Sequence, residues 1–83
     1  MFKMQIEVDQ VWESRIARSN GTRERVRIVK LDGRSARVRS ENPLPGRPEE
    51  RTVWIGMNGS HIMLAGMKLV QRADGTPFVA GKG

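Results

Sequence analysis

Residues 23–41 read RERVRIVKLDGRSARVRSE, a segment in which apolar and charged residues alternate on both sides of Asp32-Gly33. Alternation with a period of two is typical of a β-strand with one buried face. An Asp-Gly pair between two such runs is among the strongest short-range signals for a hairpin. The segment therefore predicts a β-hairpin with one apolar face and one basic face.

The length of the loop decides how these two strands pair. A two-residue loop at Asp32-Gly33 would place charged residues opposite apolar ones, which a sheet with one buried face does not tolerate. A three-residue loop that also includes Arg34 pairs like with like: Ile28 with Val38, and Arg27 with Arg39. We therefore predict the three-residue loop, with a β-bulge beside the turn.

A second hairpin is predicted from residues 52–57 and 60–64, which flank Asn58-Gly59. Asn-Gly is the other strong signal for a two-residue turn between strands. This turn would align Ile55 with Ile62 and Val53 with Leu64 on the apolar side. A closing strand is then expected at residues 67–71, after Gly66.

The segments before, between and after the hairpins carry weaker signals. Residues 4–8 alternate and predict a strand. Residues 11–16 fit either a strand or a short helix, and the strand is favoured because the neighbouring segments are β. Residues 42–50 contain three of the four prolines and predict a stiff loop. Asp74-Gly75 predicts a turn back to a short edge pair at Phe78-Val79.

Short strands, frequent turns and no convincing long helix predict an all-β fold, a small barrel of five to six strands with little or no helix. The 83 residues allow one small domain, placed at 1–79, with 80–83 as a flexible C-terminal tail. Trp12 is expected in the core, because a thin core needs its largest side chains. The other residues predicted inside are Ile6, Val8, Val26, Ile28, Val38, Val53, Ile55, Ile62, Leu64 and Leu69.

The chain carries 15 basic and 9 acidic residues, a net charge of +6. This excess is local, because nine cations but only two carboxylates lie between Arg15 and Arg39. The rest of the chain carries one net negative charge. A local excess of one sign indicates a surface that binds a partner of the opposite sign.

Three segments together resemble a known class of small proteins. They are Gln10-Val11-Trp12, residues 26–33 (VRIVKLDG) and Ala36-Arg37-Val38. In these segments the chain is similar to small SH3-like barrels of the KOW type and to uncharacterised short proteins of actinobacterial phages. The similarity covers about residues 10–70. It implies an SH3-like barrel that binds nucleic acid or protein and has no catalytic activity.

No constellation of residues predicts catalysis or metal binding. There is no cysteine, and the only histidine, His61, adjoins Ser60 on a strand, where neighbouring side chains point to opposite faces. Asp32 and Asp74 precede glycines in turns, where aspartate is favoured for backbone reasons. We therefore predict that the protein is not an enzyme and has no catalytic residues, no metal site and no cofactor.

The candidate binding residues are the cations of the first hairpin and one tryptophan. Directly opposed arginines such as Arg27 and Arg39 destabilise a sheet unless a counter-charge is present, and phosphates would supply one. The alternative is a solvated face whose charges are interleaved with Glu13, Glu24 and Glu41. The candidates are Arg23, Arg25, Arg27, Lys30, Arg34, Arg37, Arg39 and Trp54.

Trp54 lies on the face of its strand opposite to Val53 and Ile55. An exposed tryptophan at this position can stack on a nucleic-acid base, a contact worth about 1–3 kcal/mol. The equal alternative is that the coiled barrel buries the ring.

We predict a non-enzymatic barrel that binds the phosphate backbone of DNA or RNA through the basic hairpin, independently of sequence. The alternative is a phage-type protein-interaction or virion structural module that binds an acidic host or virion protein. No membrane partner is expected, because no apolar run approaches the ~18 residues of a span. The cytoplasm is the expected location, that of the host cell if a phage encodes the chain. The oligomeric state is left open.

Overall fold

The structure is a computed structural model that describes residues 6–58 and 61–78. The strands of the described residues are β1 (Val11–Ser14), β2 (Arg25–Asp32), β3 (Ser35–Ser40), β4 (Glu50–Asn58), β5 (His61–Leu64) and β6 (Met67–Gln71). These six antiparallel strands form one sheet in the order β5-β4-β3-β2-β1-β6, and the described residues contain no helix. The edge strands β5 and β6 contact each other, so the sheet is nearly closed. The predicted all-β barrel of five to six strands is confirmed.

The pairing of β2 with β3 confirms the predicted register in the half of the hairpin away from the turn. The pairs there are Ile28 with Val38 and Arg27 with Arg39. The predicted three-residue loop is wrong. Asp32 pairs with Ser35, so the turn contains only two residues, Gly33 and Arg34.

A β-bulge at Val29 reconciles the short turn with this register. The pairing shifts by one residue there, which leaves Val29 as the extra residue of β2. As a result Lys30 lies opposite Arg37 on the outer side, and Leu31 lies opposite the buried Ala36. Without the bulge, strict alternation would place Lys30 on the core side. The bulge therefore keeps an ammonium group out of the core.

The β2–β3 turn depends on the glycine at position 33. Gly33 has a φ of 64°, whereas Arg34 is not among the residues with positive φ. A positive φ at the first central residue only is the pattern of a type II′ turn, which matches the twist of the flanking strands. Other residues in this left-handed conformation lose roughly 1–2 kcal/mol.

The pairing predicted for the second hairpin is wrong by two residues. Ile55 lies opposite Leu64 and Asn58 lies opposite His61, so β4 continues through Asn58. Residues 59 and 60, which include Gly59 of the predicted turn, lie outside the described part. Because the error is an even number of residues, the same side of β4 still faces the core.

The predicted N-terminal strand is wrong over the part that the structure describes. Val8, expected in the core, lies in a turn and is 41% exposed. Asp9 has a φ of 79°, which an extended strand does not allow. The side-chain oxygen of Gln10 accepts hydrogen bonds from the Glu7 backbone N–H at 3.0 Å and from the Trp12 indole N–H at 3.1 Å. These bonds stabilise the turn at the expense of a strand.

Other segments follow the sequence-based predictions. The segment 11–16 forms a strand rather than a helix, although the strand ends at Ser14, and the closing strand is β6. The proline-rich loop predicted over 42–50 lies outside the strands except for its last residue, Glu50, which begins β4. After β6 the chain turns back: Phe78 donates a backbone hydrogen bond to Val70 at 3.0 Å, and Gln71 forms an isolated bridge with Pro77. Val79 and the predicted tail, 80–83, lie outside the described residues.

The core is a single apolar layer inside the sheet, and its largest fully buried side chain is Trp12. Of the residues predicted inside, Ile6 and Ile55 are only partly buried against this layer, and Ile62 is half-buried. Val11, Ala36 and Met67 are buried although their positions were not predicted. The buried members that were predicted are Trp12, Val26, Ile28, Val38, Val53, Leu64 and Leu69.

The β2–β3 register makes opposite predictions for two neighbouring residues of β3. Val38 is fully buried opposite Ile28, so Val38→Ala should lower the free energy of unfolding by about 1–3 kcal/mol. Arg37 is exposed, so Arg37→Ala should change it by less than about 0.5 kcal/mol. Urea unfolding at neutral pH measures both. Equal losses, or a larger loss for Arg37→Ala, would contradict the register.

Candidate nucleic-acid interface

The outward side chains of β1 to β4 and β6, together with the β2–β3 turn, form a surface that we call the basic face. Its cations exceed its carboxylates by three, so the local charge excess of the sequence persists in the fold. The cations are Arg25, Arg27, Lys30, Arg34, Arg37, Arg39 and Lys68. The carboxylates are Glu13, Asp32 and Glu50 on these strands, together with Glu41, which directly follows β3.

Glu50, the first residue of β4, is shared by two arginines of β3. Its carboxylate accepts hydrogen bonds from Arg37 at 3.0 Å and from Arg39 at 2.6 Å. The bond from Arg39, followed by that from Arg37, lowers the pKa of Glu50, and the carboxylate raises the pKa of Arg39. Two cations that share one carboxylate retain one net positive charge.

The remaining pairs lie at the β1 and β2 side of the basic face. Arg27 donates to Glu41 at 3.2 Å, and Arg25 donates to Glu13 at 3.1 Å. Lys68 of β6 also lies 3.7 Å from Glu13. Glu13 and Glu41 therefore interleave with the cations, as the solvated-face alternative describes. The opposed Arg27 and Arg39 already have carboxylate partners, and their pairing does not by itself require phosphate.

Arg23, one of the candidate binding residues, is hydrogen-bonded to backbone carbonyls. Its guanidinium donates to the carbonyl of Ser14 at 3.3 Å and to the carbonyl of Arg15. These bonds hold the segment that follows β1 against the start of β2. Arg23 therefore stabilises the fold and lies apart from the other candidates.

Lys30, Arg34 and Trp54 lie together at the turn end of the basic face. In the part of the chain that the structure describes, neither cation has an ion-pair partner within 4.0 Å. Trp54 lies opposite Ser35, next to the turn, and is 67% exposed. The backbone N–H of Ile55 donates to the carbonyl of Arg34 at 2.8 Å, which holds the turn against β4.

The surface beside Trp54 is open. Gly56, two residues further along the same side of β4, has no atom within 4 Å of the place where a Cβ would lie. The carboxylate at this end is Asp32, which lies opposite Ser35 and is exposed. The exposed indole and the two cations, which have no ion-pair partner among the described residues, form the least compensated part of the basic face.

A second group of cations, which the sequence analysis did not single out, lines an open cleft of about 540 Å³. The cleft separates the segment after β1 from the proline-rich loop. Arg51 donates two hydrogen bonds of 2.8 Å to Glu24, and Arg18 lies 3.9 Å from the same carboxylate. Arg47 also lines the cleft. Glu24 and Arg51 are 27 residues apart, and no local pattern relates them.

Burial and pairing act in opposite directions on the Glu24–Arg51 pair. The hydrogen bonds from Arg51 lower the pKa of Glu24, although partial burial opposes this effect. The same bonds raise the pKa of Arg51. Both residues line the cleft, and the pair links the residue before β2 to β4 there.

Comparison of the chain with protein-family models, with curated proteins and with solved structures finds no match. The resemblance to KOW-type barrels and phage proteins therefore stays a prediction. The described residues contain no helix that is long and apolar enough to cross a membrane. The same residues contain no group of three His, Cys, Asp or Glu side chains that could hold a metal ion.

The Glu24–Arg51 pair predicts a specific loss of stability in acid. A carboxyl group whose pKa is lower in the folded state stabilises the fold above its unfolded pKa, near 4.5, and this contribution disappears as the pH falls through the lower value. At pH 7, Glu24→Gln should therefore lower the free energy of unfolding by about 1 kcal/mol. The difference in this free energy between the variant and the native protein should vanish below the lowered pKa of Glu24.

Urea unfolding between pH 2.5 and 7 measures this difference. Glu49→Gln is the matched control, because Glu49 is exposed and has no ion pair among the described residues. The free energy of unfolding of Glu49→Gln should stay close to that of the native protein at every pH. A pH-independent loss for Glu24→Gln would contradict the role of the charge.

Proposed function

We propose that this protein is a non-enzymatic nucleic-acid-binding barrel whose basic face contacts phosphates. The single observation that carries the proposal is that the turn end combines an exposed aromatic ring, Trp54, with two cations that have no ion-pair partner among the described residues, Lys30 and Arg34. Cations and aromatic rings on one sheet face are the two elements of sequence-independent nucleic-acid binding. We place this activity in the cytoplasm.

The internal ion pairs limit how many phosphates the face can neutralise. Lys30 and Arg34 have no ion-pair partner in the described part of the chain, while the groups centred on Glu50 and on Glu13 each keep one positive charge. Three to four phosphates should therefore be neutralised, fewer than the number of cations suggests. The logarithm of the affinity should fall with the logarithm of salt with a slope of about −2 to −3 on single strands. On duplex DNA the slope should be about −3 to −4.

The arginine-lined cleft favours a second candidate, the interaction module that binds an acidic protein of a host or a virion. Arg18, Arg47 and Arg51 line it against the single carboxylate of Glu24. Ile16, 79% exposed, also borders it. Such a surface suits an acidic segment that carries an apolar residue. This candidate takes precedence if the basic face binds no nucleic acid.

Removal of the two unpaired cations tests the proposal directly. The double variant Lys30→Gln/Arg34→Gln should bind nucleic acid roughly 25-fold more weakly at 0.1 M salt, because two phosphate contacts are lost. The salt slope should flatten by about 1.4 on single strands. Fluorescence anisotropy with labelled oligonucleotides at several salt concentrations measures both quantities. Arg47→Gln, which removes an exposed cation in the cleft, should change neither.

Removal of a carboxylate should have the opposite effect. Glu50→Gln frees Arg37 and Arg39 from their shared partner, so the affinity should rise roughly fivefold at 0.1 M salt and the slope should steepen by about 0.7 on single strands. The matched control is Asp74→Asn, an equal charge change in the turn after β6, where asparagine can still accept the bonds from Thr76. A gain in affinity for both variants would indicate an effect of net charge rather than of this site.

The absence of binding of the native protein to DNA or RNA at low salt would refute the proposed function.

A further inference from the structure

We infer that the basic face binds single-stranded rather than duplex nucleic acid, with one unpaired base stacked on Trp54 and adjacent phosphates at Lys30, Arg34 and Arg37. This inference rests on the proposed function and narrows its ligand to one class. It depends on the position of the indole, on the arrangement of the cations around it and on the shape of the sheet.

The exposed indole of Trp54 lies on a strand that is paired on both sides. Of the two tryptophans, Trp12 is 1% exposed and forms the core, whereas Trp54 is 67% exposed and lies on the outer side of a central strand. The strand is paired on both sides, with β3 and with β5, so the backbone beneath the ring is rigid. The backbone at Trp54 is therefore already in place, and only the side chain has to be ordered when a base stacks on the ring.

Two cations of β2 and β3 lie in the outward row of side chains next to the row of Trp54. Lys30, Arg37 and Thr52 lie in one row across β2, β3 and β4, adjacent to the row that contains Trp54. Neighbouring strands are about 4.8 Å apart, so both cations lie within roughly 10 Å of the strand that carries Trp54. Arg34 lies at the turn that contacts β4. A base on the indole would therefore have these three cations on the side of β2 and β3, together with the single carboxylate of Asp32, which lies in the row of Trp54.

A duplex fits this face less well than a single strand does. An indole can stack only on a base whose face is uncovered, and in a duplex the neighbouring base pairs cover both faces. Reading a duplex through its major groove needs a helix or a free two-stranded ribbon. The β2–β3 hairpin is not free, because β1 and β4 flank it, and its turn has only two residues. The face is therefore suited to a flexible strand with splayed bases.

The test compares a labelled oligo(dT) with a duplex of equal length in fluorescence titrations at 0.1 M salt. Oligo(dT) should bind at least tenfold more tightly and should quench tryptophan emission, because Trp54 is exposed whereas Trp12 is buried. Trp54→Ala should weaken oligo(dT) binding by about 5- to 150-fold, the range that stacking energies of about 1–3 kcal/mol imply. Duplex binding should be unchanged. Trp54→Phe should retain part of the affinity, since a smaller ring can still stack.

Ile16→Ala is the matched control, because Ile16 is also a large exposed apolar residue but borders the cleft. It should leave both affinities unchanged, and thermal melts should show that every variant is folded. Salt-dependent binding that favours the duplex, or that Trp54→Ala does not weaken, would overturn this inference and leave the proposed function standing. No binding to either nucleic acid would overturn both. Self-association that Trp54→Ala abolishes, seen by sedimentation, would assign the ring to a second copy of the chain and overturn the inference.

Discussion

The antiparallel pairing of β2 with β3 is the constraint on which the rest of the molecule depends. Ile28 and Val38 meet inside the sheet, so the intervening positions Arg27 and Arg39 must meet outside it. The strands on either side, β1 and β4, extend this division to both flanks of the hairpin. One register therefore places the core on one side of the sheet and the arginines of β2 and β3 on the other.

The bulge at Val29 shows how the chain accommodates two conflicting requirements. The type II′ turn at Gly33-Arg34 sets one register, and the apolar pair of Ile28 and Val38 requires another, one residue away. An extra unpaired residue absorbs the difference. The same residue turns Lys30 outward, so a device that satisfies the core also supplies a cation to the basic face. Bulges are often found next to binding sites for this reason.

The electrostatics of the outer face divide it into two regions with different properties. Arg25, Arg27, Arg37 and Arg39 have carboxylate partners on neighbouring strands or loops, which relieves the repulsion between them. The turn end has cations without such partners beside an exposed indole. Charge that is already balanced within the protein contributes less to binding an anion, because the anion must displace the internal partner. The less compensated end therefore dominates the proposed interface, although it holds fewer cations.

Local pattern was sufficient for the strands, the two hairpins and the pairs Ile28–Val38 and Arg27–Arg39, because period-two alternation and turn residues act over a few neighbouring positions. It was insufficient for the exact turn positions, since a bulge or a two-residue shift preserves the apolar side of a strand and leaves no trace in the alternation. The turn at Val8-Asp9 depends on bonds from Gln10 to Glu7 and Trp12, which compete with a strand that the pattern alone favours.

Tertiary structure decided the partners of the arginines, because only strand pairing and loop closure bring residues so far apart in sequence together. The pairs are Arg27 with Glu41, Arg39 with Glu50 and Arg51 with Glu24. The same holds for the exposure of Trp54. The alternation placed its side chain on one side of β4, and only the barrel's curvature and the strands around it left that side open to solvent.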